Sequence, residues 1–199
     1  MVKYVMDSME AVAYYIQTSK VLKNIENFWY CETRDQSQAR IAKWVKLFVS
    51  FGENLNNSII LGSIIGEITN NSFDHNLGRW TDSSGCVVGI HLENNIIKIN
   101  IADRGQGIVS TLRHQFSELT ENSEILNNAF TKRVSGRAHE KRGNGLKYVN
   151  QHITNSNNYL YCFSNSEKFQ IGHSINIKFD HLENLKNSFT YIYLEWKIL

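Results

Sequence analysis

At Gly78 the hydrophobic pattern of this chain changes period. A chain that repeats every three to four residues before that point and alternates after it is neither a pure bundle nor a pure barrel. Before it, Met9, Val12, Ala13 and Ile16 share one helical face, and Ile41, Val45, Phe48 and Val49 share another on a segment starting near Asp35. A third helix follows Asn56 and Asn57, with Ile60, Leu61, Ile64, Ile65 and Ile68 as its stripe, running to about His75. Residues before Asn57 therefore read as helical. After Gly78, Cys86–Leu92 and Ile96–Ile101 read as strands joined at Glu93-Asn94-Asn95, a hairpin signature. Helical patterns return at Val109–Leu119 and Glu124–Lys132, and a basic loop from Val134 to Asn144 opens a helix from Gly145 to about Ile153. Three strands close the chain, at Tyr159–Phe163, Phe169–Phe179 and Phe189–Ile198. This order predicts an α+β fold, a two-layer sandwich with helices on one face of a mixed, mostly antiparallel sheet.

Composition narrows the classes further. There is no proline among 199 residues, so glycine and asparagine supply the punctuation. A net charge of +2 gives little electrostatic reason for a nucleic-acid partner, since polyanion binders normally carry a concentrated basic face, and none is expected. The most apolar stretch, Ser58–Gly66, is about half of the roughly 20 residues that span a bilayer, and no membrane association is expected. The N-terminus carries acidic residues and no apolar block of the signal-peptide kind. Cys31, Cys86 and Cys162 are odd in number and form no C-x-x-C pair, which fits a reducing compartment. The expected location is cytoplasmic.

Three short segments carry residue types suited to chemistry. On a helix, Glu67 and Asn71 share a face, continued one turn on by Asp74 and His75. The amide oxygen of Asn71 can ligate Mg²⁺, and the Glu67 carboxylate can hold its waters or take a proton, although the same pattern also describes a solvated polar face. Asp103-Arg-Gly105-Gln-Gly107, continuing into Ile108, follows directly on a strand. Its glycines admit a flat ligand and its acceptor-only carboxylate suits the exocyclic amine of adenine; a plain glycine turn is the alternative. Arg142-Gly143-Asn144-Gly145-Leu146 opens a helix whose unpaired N–H groups and dipole suit an anion, with Arg133, Arg137 and Lys141 nearby. Neither a Walker A loop nor a Rossmann turn is present.

Taken together and in order, these segments resemble the GHKL superfamily, the Bergerat-fold ATP-binding domains of gyrase B, MutL, heat-shock chaperones, histidine kinases and anti-sigma-factor kinases. Glu67–His75 looks like the N box, Asp103-x-Gly105-x-Gly107 like the G1 box and Gly143-x-Gly145-Leu146 like the G2 box. The resemblance implies ATP and Mg²⁺ as ligands, Asn71 as the metal ligand, Glu67 as the catalytic carboxylate and Asp103 as the adenine contact. It also implies backbone from Gly143 to Leu146 at the phosphates and a mobile lid over about 109–142. A hydroxyl on a late strand would reach adenine through water; Thr190 and Ser174 both qualify, and Thr190 lies on the better alternating strand.

No histidine precedes His75, so a self-contained histidine kinase is not expected. What the resemblance leaves is an ATP-binding domain acting on a partner protein, as a regulatory protein kinase of the anti-sigma type or a slow ATPase. The alternative is a nucleotide-gated binding module without significant turnover. The resemblance covers roughly Ile59 onward and so implies a domain spanning 58–199 with residues 1–57 as a helical N-terminal extension, whose Phe28, Trp29 and Tyr30 suit core packing or docking, including a homodimer through the N-terminal helices.

Overall fold

The alternating half of the chain builds an antiparallel sheet, seen in a computed structural model that describes residues 6–76, 79–132, 144–156, 158–174 and 188–198, with only the backbone of residue 75. Its strands are β1 (Phe28–Cys31), β2 (Cys86–Glu93), β3 (Ile96–Asp103), β4 (Tyr159–Ser164), β5 (Glu167–Ile171) and β6 (Thr190–Lys197). They lie in the order β1-β2-β3-β6-β4-β5. Every pairing among the described strands is antiparallel, so the parallel component of the expected mixed sheet is not seen. Asparagine makes the turns: Asn94 and Asn95 both have positive φ between β2 and β3, and Asn165 and Ser166 do so between β4 and β5. Two successive left-handed residues are what a two-residue hairpin of matching twist requires, and asparagine tolerates that conformation well.

Six helices accompany the sheet among the described residues: α1 (Ser8–Thr18), α2 (Arg34–Ser50), α3 (Leu55–Asn76), α4 (Ile108–Leu112), α5 (Asn122–Thr131) and α6 (Gly145–Asn155). The α3 stripe of Leu61, Ile64, Ile65 and Ile68 is buried, as is the inward face of β3, Ile97, Ile99 and Ile101. Each such side chain contributes about 1.5–3 kcal/mol relative to exposure. Helices α2 and α3 pack closely because Gly62 and Gly66 leave no side chain between them. A Cβ at Gly62 would stand 2.8 Å from Val45 Cγ2, and one at Gly66 3.0 Å from Ile41 Cδ1.

The expected one-sided helix layer is incomplete, because α1 lies on the opposite face of the sheet. Its Val12, Tyr15 and Ile16 join Val87, Ala102 and the tyrosines of β4 and β6 in a second cluster, separate from the main core. Gly89 makes room for it, since a Cβ there would meet the Ser8 carbonyl oxygen at 2.5 Å. A capping box at Asp7 and Glu10 starts α1, and the Ser8 hydroxyl donates to the Ile90 carbonyl at 2.8 Å.

Residues 1–57 are not wholly helical either. Phe28-Trp-Tyr-Cys31 forms the edge strand β1, and Cys31, Trp44 and Phe48 belong to the same core as the rest of the chain. The expected strand at Phe169–Phe179 begins at Glu167 and ends at Ile171; its later positions lie outside the described residues. Of the stretch expected as a lid, residues 109–131 hold most of α4 and all of α5, which feed the main core through Val109, Leu112, Ile125, Leu126 and Phe130, and Phe130 stacks on Phe169; 133–142 lie outside the described residues.

Candidate functional site

Antiparallel register sets the site. Reading across the sheet at one end of β3, Cys31 lies opposite Cys86, Cys86 opposite Asp103, Asp103 opposite Thr190, and Thr190 opposite Ser164. Directly opposed residues point to the same face; here it is the face carrying α2 to α6. The row therefore presents a carboxylate and two hydroxyls beneath α3 and the start of α4.

Asp103 is 4% exposed. Its Oδ2 accepts from the Ser72 hydroxyl at 2.8 Å, and its Oδ1 accepts from Asn76 Nδ2 at 3.1 Å and from the Gly105 N–H at 2.9 Å. Among the described residues no cation pairs with it. Burial pushes its carboxyl up to about 6, opposed by the Gly105 N–H, Ser72 and Asn76. Removing a carboxylate from water favours its neutral form, while donors aimed at it favour the charged one.

The two glycines of this turn are structural requirements. A Cβ at Gly105 would overlap the Asn76 amide, whose Oδ1 meanwhile accepts from the Gln106 N–H at 3.1 Å. Gly107 has φ +86, and a Cβ there would overlap Asn165. Asn165, on the β4–β5 hairpin, receives the Val109 N–H at 3.1 Å and donates to the Gln106 carbonyl at 2.9 Å. That hairpin thus caps α4, for which Gly107 has no side chain to offer. Ile108 opens α4 and donates its N–H to Ser164 Oγ at 2.9 Å; Ser164 Oγ lies 3.2 Å from Thr190 Oγ1.

About a turn and a half before Ser72, at Glu67, α3 faces α6. A Cβ at Gly145 would overlap Glu67 Oε2, so the carboxylate lies against the opening turn of that helix. Asn144, its exposed N-cap residue, provides no side-chain cap, which leaves the first N–H groups of α6 without one. Asn71 sits one turn beyond Glu67, and its Nδ2 is buried without a hydrogen-bond partner. Leu146, the next residue of α6, packs against the main core. Glu67 and Ser72 are five positions apart, or about 7.5 Å along the helix axis at 1.5 Å per residue. One helix therefore carries both the residues beside Asp103 and those beside α6.

The sequence-derived site residues divide accordingly. Glu67, Asn71, Asn144, Gly145 and Leu146 gather where α3 meets α6, and Asp103, Gly105, Gly107, Ile108 and Thr190 gather at the sheet end. Asp74 points elsewhere, into an ion pair with Arg34 of α2. Ser174 donates to Glu195 Oε1 at 3.1 Å; Glu195 alternates with Thr190 on β6, so this hydroxyl is tied to a residue of the back face. Arg142, Gly143 and the side chain of His75 lie outside the described residues. Sequence reasoning missed Ser72, Asn76, Ser164 and Asn165. Ser72 and Asn76 were detectable as a four-residue polar step on the apolar stripe of α3; Asn165 acts through contacts more than fifty positions away and leaves no local signal.

No protein-family model matches the chain, and no curated protein matches it. Among solved structures, it is similar to the Acinetobacter baumannii histidine kinase AdeS, with a TM-score of 0.40 and 10% identity over 96% of this chain and 75% of that one. It is also similar to the histidine kinase domain from the Erythrobacter litoralis EL346 blue-light activated histidine kinase, with a TM-score of 0.38 and 9% identity over 96% of this chain and 71% of that one. Values this low leave function to be argued from the residues themselves.

Proposed function

We propose that this chain is a Mg-ATP-binding domain of the GHKL type, acting on a partner protein as a regulatory kinase of the anti-sigma type or as a slow ATPase. The observation that carries this reading is Asp103: a buried carboxylate without a cation among the described residues, held by three donors at the start of a tight glycine turn. Acceptor-only oxygens in such a place favour an amine over a carbonyl, and hence adenine over guanine. Thr190 and Ser164 supply the adjoining hydroxyls.

The phosphates belong at α6, whose opening N–H groups suit an anion. Magnesium takes few protein ligands and keeps water and phosphate oxygens around it. The residue types there are of the right kind, an amide oxygen on Asn71 and a carboxylate one turn away on Glu67, while the unpartnered atom of Asn71 is its Nδ2, a donor rather than a ligand. Bound there, the ion would neutralise phosphate charge. Glu67 is then the proton acceptor for an attacking water or partner hydroxyl, and phosphoryl transfer otherwise needs mainly positioning.

The decisive measurement is a thermal-shift titration with Mg-ATP and Mg-GTP, followed by incubation with labelled ATP alone and with candidate partners. A rise in melting temperature with ATP and a smaller one with GTP is expected. An unmoved melting temperature overturns the reading. Binding without label in protein or free phosphate overturns its enzymatic half and leaves the nucleotide-gated module.

A further inference from the structure

The transverse row that runs through Asp103 begins with two thiols that the nucleotide reading does not use. Cys31 and Cys86 are direct cross-strand partners on β1 and β2, both free and both in the main core. Directly opposed residues of an antiparallel pair have Cα atoms about 4.5–5.5 Å apart, inside the range a disulfide bridges. We propose that Cys31 and Cys86 form a reversible dithiol–disulfide site, oxidised by hydroperoxides.

The surroundings give the two sulfurs different roles. Arg40 Nη1 lies 3.1 Å from Cys31 Sγ and donates to the Tyr30 carbonyl as well. The Cys86 thiol and the Arg40 guanidinium bring the Cys31 thiol down to about 7 against its burial, while Cys31 and burial hold the Cys86 thiol high. Cys31 is thus the attacking thiolate and Cys86 the resolving thiol. Access comes through β1, a four-residue edge strand paired on one side only. Short edge elements open locally at a small fraction of the global unfolding free energy.

The Cys31 thiolate attacks one peroxide oxygen, the O–O bond breaks, and the released hydroxide or alkoxide takes a proton. Cys31 becomes a sulfenic acid. The Cys86 thiol gives up its proton, its sulfur attacks the Cys31 sulfur, and the S–O bond breaks, with hydroxide leaving as water. Two thiols are oxidised and one peroxide is reduced. The new bond would sit beside Asp103, the cross-strand neighbour of Cys86.

The test does not depend on nucleotide binding. The folded protein is treated with hydrogen peroxide, residual thiols are alkylated, and intact and digested masses are read with and without dithiothreitol. The expected result is a loss of about 2 Da, one cross-linked peptide pair carrying Cys31 and Cys86, full reversal by dithiothreitol, and no loss in Cys31→Ser. Oxygen addition without that loss, a link through Cys162, or thiols that react only after denaturation overturns the proposal.

Discussion

Asp103 is one residue on which fold and function make opposite demands. A carboxylate whose folded value stands near 6 rather than the ordinary 3.8 penalises the folded state at neutral pH. The penalty is full above about 6, is relieved as pH falls toward 3.8, and amounts to about 3 kcal/mol at 1.36 kcal/mol per unit. Asp103→Asn is therefore expected to be more stable than the wild type at pH 7 in urea unfolding, with the difference closing as pH falls from 7 to 4. Its amide can serve the same neighbours, because the oxygen can face Asn76 and Gly105 while the nitrogen donates to Ser72, whose hydroxyl accepts as readily as it donates. The same variant should lose its preference for ATP over GTP in calorimetric titration. Glu67→Gln tests the other cluster: ATP affinity should survive while phosphate release falls by about 10²–10⁴-fold, the usual range for a lost general base. Of these residues Asp103, Glu67 and Asn71 were legible in the sequence because their motifs are local. Ser72 and Asn76 left only a polar step on the α3 stripe, whose meaning depends on a strand end that packs against the helix.

Among the elements, the β2–β3 hairpin was the easiest to read and β1 the hardest. Asn94-Asn95 sits between two alternating runs, so local chemistry and tertiary structure agree. Phe28–Cys31 is too short to show a period, and only pairing with β2 makes it a strand. The face chosen by α1 was equally hidden, since amphipathicity says that a helix buries a stripe but not against which side of a sheet. Asn165 makes a testable claim about the start of α4. Asn165→Ala removes the acceptor for the Val109 N–H and should cost about 1 kcal/mol, as other lost helix caps do. Faster amide exchange should appear in Ile108–Leu112. The α2–α3 contact makes another. Gly62→Leu must displace Val45 and Ile41, and a cost of about 1–3 kcal/mol in chemical denaturation is expected from overpacking.

At the scale of the whole molecule, Arg104 joins the two faces. It lies between Asp103 and Gly105, is 1% exposed, and directs Nε and Nη2 to the two oxygens of Asp82 at 2.6 Å each, while Nη1 donates to the Ile16 carbonyl of α1. The back-face helix and the turn beside Asp103 therefore share one guanidinium. Arg104→Met should lower stability by about 2–3 kcal/mol, the scale of hydrogen bonds to a charged group. Loss in a single transition monitored by tryptophan fluorescence and circular dichroism would mark one cooperative unit; separate melting of α1 would refute that. No helix among the described residues is long and apolar enough to cross a membrane.

The position of β6 has a consequence for how the molecule comes into being. This strand lies between β3 and β4, and its register joins Ile96 to Lys197 and Asp103 to Thr190. A ribosome releases the β2–β3 hairpin long before it releases the strand that covers it. In that interval β3 is an open edge with half its backbone unpaired, and contacts so distant along the chain form slowly. Thr190 comes opposite Asp103 only when the sheet closes, so a nascent chain cannot assemble this end of the site before its last described strand is in place.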